Sequence, residues 1–256
     1  MNWTKDQVLA ALHLYTQLPF GQLHQGNPLI KALAEPMGRT PSSVAMKLTN
    51  LASLDPQIIA SGRKGLPGAS KLDRAVWAAL QESWDEVALQ ASAAYDALLG
   101  RASTRAEDDA IDSDEDIADF QQGRTSSRTV QVRVNQRMFR QAVLASYANT
   151  CCISGLKEEK LLIASHIVPW SEDCHNRLNP HNGLCLSALH DRAFDQGLIT
   201  VTPEYRVLVS STLKRKSADA FMADSLLRFD QQPIALPERF KPDASFLAWH
   251  GQRFGY

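Results

Sequence analysis

His166, Asn182 and His190 follow one another within 25 residues, in the stretches Ala-Ser-His-Ile-Val-Pro-Trp (164–170), His-Asn-Gly-Leu-Cys-Leu (181–186) and Leu-His-Asp-Arg-Ala-Phe-Asp (189–195). Together they offer a group that titrates near neutral pH, an uncharged amide that both donates and accepts, and a second imidazole able to bind a metal. Hydrolysing a phosphodiester asks for such parts. A base must activate water, and positive charge must meet the developing phosphorane and the leaving 3′-oxygen. His175 and His181 read as loop residues, while Arg177 and Arg192 can either hold phosphates or stand as solvated side chains.

The surrounding pattern says how these residues would be positioned. His166 ends a short apolar run that begins at Leu161 and stands just before Pro169, so a strand ending at a rigid turn is predicted. Asn182 precedes Gly183 in a loop, where its amide can brace the segment bearing His166. Ser187 can N-cap a short helix that carries His190 and ends at Gly197. A strand–loop–strand unit closed by a helix would put all three on one concave surface. Around it, Val130, Val132 and Val134 alternate with Gln131 and Arg133, which predicts a strand. Residues 139–147 read as a helix, 151–154 as a short strand before a turn, and 198–202 and 206–210 as two strands joined by Pro203-Glu204.

The stretch 164–170, with Asn182-Gly183-Leu184, Leu189-His190-Asp191 and Phe194-Asp195-Gln196-Gly197-Leu198-Ile199, resembles HNH endonucleases. It is most similar to the branch found in restriction-type and phage-defence nucleases. The resemblance covers about residues 150–202, with Cys152-Ile153-Ser154-Gly155 at the usual start of the unit. It implies a ββα-metal fold and metal-dependent cleavage of double-stranded DNA, with His166 as general base, Asn182 as the bracing asparagine and His190 as metal ligand. The implied cofactor is a divalent ion, Mg²⁺ first, with Mn²⁺, Ni²⁺ or Zn²⁺ as alternatives. The chain departs from the family at Ser165, where many members carry an Asp or His that also binds the metal. Asp191 and Asp195 are nearby, but on a helix they point about 100° and 140° away from His190. The second protein ligand is therefore open, and the ion is expected to rest on His190, waters and the scissile phosphate.

The first hundred residues read as helices. Thr4 and Gln7 have the spacing of a capping box, and Val8, Ala11, Leu12 and Tyr15 then share a face, with Pro19 and Gly21 ending the helix. A second helix starts at Asn27-Pro28 and stops near Gly38; a third starts at Thr40-Pro41 with Val44, Leu48 and Leu51 inward. A Gly-rich loop with Arg63 and Lys64 follows, then one long helix over 70–100, boxed by Ser70 and Asp73. The run 38–48 resembles the turn and third helix of Myb-type helix-turn-helix modules. That implies a DNA-reading stripe of Ser43, Met46, Lys47 and Asn50, with Arg39 in the turn. A plain helical interaction domain has the same amphipathic pattern.

The expected fold class is α+β: a helical domain over 1–100, an acidic linker over 101–128 and a nuclease domain over 129–256. Net charge is −1 over 256 residues, but it is unevenly spread. The three segments carry 8 basic and 8 acidic, 4 basic and 8 acidic, and 15 basic and 12 acidic side chains, so the last is mildly basic at +3. That is compatible with phosphate contact. Four cysteines without a C-x-x-C pair argue against a disulfide framework or a four-cysteine zinc site, and read as buried thiols. With no long apolar run and no apolar core at the N-terminus, the chain is expected to be cytoplasmic and off the membrane. Cutting both strands would call for a homodimer or two successive nicks. The competing reading is a DNA-binding regulator whose HNH-like unit is a structural remnant, an idea that Ser165 keeps open. A third makes the N-terminal domain a protein-partner module.

Overall fold

Thr4 starts the first helix for a local reason: its hydroxyl accepts from the Gln7 amide while the Gln7 side chain accepts from the Thr4 amide. In this computed structural model, which describes residues 2–63, 65–100, 127–215 and 219–256, that helix is α1 (Lys5–Gln17). Asn27 and Thr40 cap α2 (Pro28–Ala34) and α3 (Pro41–Ala52), each with proline at the first helical position. A short α4 (Pro56–Ala60), capped by Asp55, follows.

The single helix expected over 70–100 is two. α5 (Lys71–Glu82) carries the Ser70–Asp73 capping box, and α6 (Trp84–Leu98) begins after Ser83, which at φ −147° and ψ 85° leaves the helical region. The break puts Trp84 and Asp85 in the first turn of a new helix, facing the second half of the chain. Val8, Leu12, Ile30, Leu48, Leu80 and Val87 bind these helices into one core.

The acidic linker expected over 101–128 lies, up to residue 126, outside the described residues, as does Lys64. The second half opens with α7 (Ser127–Ser146), a helix where the alternating valines predict a strand. Phe139, Ala142 and Val143 are buried at helical spacing, and that packing outweighs the weak β preference of three valines. Residues 151–154 make a turn instead of a strand, closed by the Gly155 amide on the Cys151 carbonyl.

β1 (Leu162–His166) then pairs antiparallel with β2 (Gly183–Ser187), Leu162 opposite Ser187 and His166 opposite Gly183. α8 (Ala188–Asp195) follows at once, capped by Ser187 as expected, so β1, β2 and α8 form a ββα unit. β3 (Ile199–Val201) and β4 (Val207–Val209) make a second antiparallel pair within the expected segments. α9 (Ser211–Arg215), α10 (Ala220–Ser225) and α11 (Ala244–Phe254) complete an α+β fold. Phe139, Val143, Leu162, Leu184, Phe194, Val201 and Leu247 form its second core.

The two halves are joined by residues far along the chain. Arg239 is fully buried against α1, donating to the Tyr15 carbonyl at 2.6 Å and to the Leu18 carbonyl. Phe240 belongs to the first core and meets the rings of Tyr15, Trp84 and His181 edge-on. No helix among the described residues is long and apolar enough to cross a membrane.

Candidate active site

Side chains alternate along a strand, so His166 and its partner Gly183 share one face of the hairpin, the face that α7 covers. A Cβ at Gly183 would come within 2.5 Å of Val143 Cγ2 and 2.9 Å of Phe139 Cζ. Glycine thus lets α7 approach closely enough for Phe139 to lie flat on the His166 ring, with centroids 3.6 Å apart and planes inclined by 10°. Trp170 meets the same ring edge-on at 5.8 Å.

The His166 Nε2 lies 2.9 Å from the Arg177 carbonyl oxygen. A carbonyl can only accept, so Nε2 carries the hydrogen and, in the neutral ring, Nδ1 holds the lone pair. Burial pushes the imidazole pKa down to about 4, against the opposing effect of the Arg177 carbonyl. At neutral pH the ring is therefore uncharged and Nδ1 can take a proton.

Asn182 is buried and uses both ends of its amide. Its Oδ1 accepts from the Val168 amide at 2.8 Å, and its Nδ2 donates to the carbonyls of Val168 at 3.0 Å and Asn176 at 3.2 Å. Its backbone carbonyl accepts from the Ile167 amide. These bonds tie the residues just after His166 to the loop that leads into Arg177, whose carbonyl His166 uses.

His190 is placed differently. Its Nε2 lies 3.0 Å from the Ser225 carbonyl, and its Nδ1 lies 2.7 Å from Ser187 Oγ and 3.9 Å from Cys151 Sγ. Because the Ser225 carbonyl accepts, Nε2 bears the hydrogen and the Nδ1 lone pair accepts from the Ser187 hydroxyl. Neither nitrogen offers a lone pair to a metal. Its ring packs against Phe229, and it shares none of the His166 contacts to Arg177, Phe139 and Trp170. The structure brings His166 and Asn182 into one network and leaves His190 in another, where it works as a buried link between α8 and the end of α10.

Residues 151–202 match the HNH endonuclease family model. The match supports a nuclease function in general, and it covers β1, β2, α8 and β3. No curated protein matches the chain.

HNH nucleases generally use a divalent metal. In this HNH segment the donors do not assemble for one. Ser165, on the hairpin face opposite His166, has a buried hydroxyl without a hydrogen-bond partner, but it is a single weak donor. The nitrogens of His190 are engaged, and among the described residues no three His, Cys, Asp or Glu side chains come together as a metal-binding group. The side chains present do not fit a preformed metal centre.

The other expected residues are spread out. Arg177 lies over the Trp170 ring at 5.2 Å and its Nε donates to the Trp170 carbonyl, so it is the backbone of Arg177 that serves His166. Arg192 is exposed on α8, and His175 is an exposed loop residue. His181 is half-buried at the junction of the halves, between Trp84 and Phe240, with Nδ1 on the Lys241 carbonyl. Cys151, Cys152 and Cys185 are buried thiols, but Cys174 is exposed, in the irregular loop after Trp170.

The stripe expected to read DNA from α3 is not an open surface. Lys47 is buried, with Nζ at 2.7 and 2.8 Å from the two carboxylate oxygens of the fully buried Asp73 on α5. Lys47 thus points into the bundle, with its charge on Asp73. Ser43 and Asn50 are half-buried, and of the four only Met46 is exposed. Arg39 lies over the Trp3 ring at 4.1 Å and donates to Gln7 Oε1 and the Asn2 carbonyl, fastening the start of α1. Phe139 leaves no functional signal in the sequence: a lone aromatic at helical spacing reads as core, and only its packing over a glycine on β2 shows that it carries His166.

Proposed function

We propose that the protein is a divalent-cation-dependent endonuclease acting on double-stranded DNA, with His166 Nδ1 taking the proton of the attacking water. One observation carries this reading. The Arg177 carbonyl fixes the His166 hydrogen on Nε2, and burial keeps the ring neutral, so an open Nδ1 acceptor stands in the HNH segment. Asn182 is the brace that holds the His166 strand end against the Arg177 loop. Arg192, exposed on α8, is the side chain we assign to a phosphate. Since the protein donors make no centre of their own, cation binding is expected to need the phosphates of the substrate. A restriction or phage-defence setting is part of the proposal, supported by the similarity of the 164–199 motifs to that branch.

The engaged nitrogens of His190 and the hydroxyl at position 165 favour a second reading, a DNA-binding regulator built on an HNH unit. Supercoiled plasmid incubated with Mg²⁺, Mn²⁺ or Ni²⁺, and with EDTA, separates the two. The nuclease nicks with a cation and stops in EDTA, whereas a regulator shifts plasmid mobility without a nick under any condition. His166→Ala should bind DNA as the wild type does and cut at least about 100-fold more slowly. A His166→Ala protein cutting at the wild-type rate removes the base assignment.

A further inference from the structure

The Arg177 carbonyl that orients His166 belongs to the peptide group joining Arg177 to Leu178. The N–H of that same group, on Leu178, donates to Asp85 Oδ1 at 2.8 Å, and the Arg177 N–H donates to Asp85 Oδ2 at 3.1 Å. No cis peptide occurs among the described residues, so the C=O and N–H of this planar unit point in opposite directions. His166 sits at one end of it and the Asp85 carboxylate at the other. Two bonds from one carboxylate to consecutive amides fix both the position and the tilt of the peptide plane. Charge-assisted bonds to an N–H are also strong, and they polarise the group so that its carbonyl accepts better.

We propose that Asp85 is a positioning residue for His166, holding the Arg177–Leu178 peptide so that the ring stays in its Nε2–H form with Nδ1 open to water. This rests on the reading of His166 as the general base. Asp85 reaches the loop from the first turn of α6, a helix of the N-terminal bundle, anchored on either side by the buried Trp84 and Val87. The helical half is then a working part of the active site. It supplies the charged end of a carboxylate–peptide–imidazole chain whose other members lie 81 and 92 residues further on, at His166 and Arg177.

The test uses the full chain with Asp85→Ala and Asp85→Asn, and Glu86→Gln as a control on the exposed next position of the same helix. Three quantities are read: kcat and KM for plasmid nicking, DNA affinity, and the His166 tautomer from ring ¹⁵N shifts of histidine-labelled protein. Asp85→Ala should lower kcat roughly 10- to 100-fold, with KM and DNA affinity unchanged and a mixed His166 tautomer; Glu86→Gln should match the wild type in all three. A wild-type kcat in Asp85→Ala overturns the proposal, and so does a reduced kcat with His166 still wholly in the Nε2–H form. Should Asp85→Ala fail to fold, the near-isosteric Asp85→Asn decides by the same two readouts, since it keeps one acceptor oxygen and faces the second amide with an NH₂. His166→Ala, run in parallel, tells the two failures apart. An inactive His166→Ala beside a fully active Asp85→Ala removes Asp85 alone, whereas an active His166→Ala removes the base assignment and Asp85 with it.

Discussion

The proposed base must be neutral and oriented, and contacts of different kinds give His166 both properties. Phe139 fixes the ring plane, the Arg177 carbonyl fixes the tautomer, and burial keeps the charge off. The last has a measurable consequence. Because burial lowers the pKa from 6.5 to about 4, the Nδ1 lone pair is lost only as pH falls through the lower value. The acid limb of kcat/KM, which reports the free enzyme, should therefore lie near pH 4, with nicking flat from about pH 5 to 7 at saturating cation. A limb at 6.5 would mean a solvated ring and would contradict this geometry. At this scale the sequence was legible where a role depends on near neighbours. Asn182 and His166 stand at the two ends of one β1–β2 connection, and the Asn182 amide bonds to Val168 and Asn176 lie within that connection. The role of His190 depends on the Ser225 carbonyl 35 residues away, and that of Lys47 on Asp73 from another helix. Neither partner leaves a mark on the local pattern, so both side chains read as available when they are not.

Elements were legible to the extent that their ends carry their own chemistry. The Thr4–Gln7 box, the Asn27-Pro28 and Thr40-Pro41 starts and the Ser187 cap are each completed within three or four residues, and each marks a helix start in the structure. The alternating valines of α7 imitate a strand, while the burial of Phe139 and Val143 against the hairpin decides for helix. The same contact makes Gly183 an exacting glycine beside His166. Gly183→Ala would drive a methyl into Val143 and Phe139, two core side chains with no open side to move toward. It should cost about 1–3 kcal/mol by denaturant melting, and nicking should fall with it, because any shift of Phe139 releases the His166 ring. Gly251 offers the contrast. It lies within α11, and a Cβ there meets only Tyr256 Cβ at 3.9 Å. Gly251→Ala should raise stability by about 0.5–1 kcal/mol and leave nicking unchanged. Equal losses in the two variants would show that helix and sheet glycines matter alike, and would remove the argument from close approach.

Across the whole molecule, the sequence suggested two units separated by an acidic segment, and the composition does change at that segment. What it did not reveal is that the later half reaches back into the earlier one. Arg239 and Phe240 follow no helical or strand period, and their partners Tyr15 and Leu18 lie more than 220 residues earlier, so no local signal could mark them. Inside the first core, the Arg239 guanidinium satisfies two carbonyls at the end of α1 and lies over the Tyr15 ring at 4.4 Å, while Phe240 meets Trp84 edge-on. The Asp85 bonds to the Arg177 loop start one residue beyond that tryptophan. The pin and the active-site brace therefore share one junction. Arg239→Ala would empty a fully buried site and leave the Tyr15 and Leu18 carbonyls without their donor, at a cost of about 3 kcal/mol or more. Trp77 and Trp84 report the first core, and Trp170 and Trp249 lie in the second half, so unfolding can be followed at both from single-tryptophan variants. In the wild type the two reports should melt together. In Arg239→Ala the first should melt at a lower temperature than the second, and nicking at intermediate temperature should be lost with the first, since the grip of Asp85 on the Arg177–Leu178 peptide goes with it. Coincident melting of both reports in Arg239→Ala at the wild-type temperature would show that the halves are held together by other contacts and that Arg239 is not the pin.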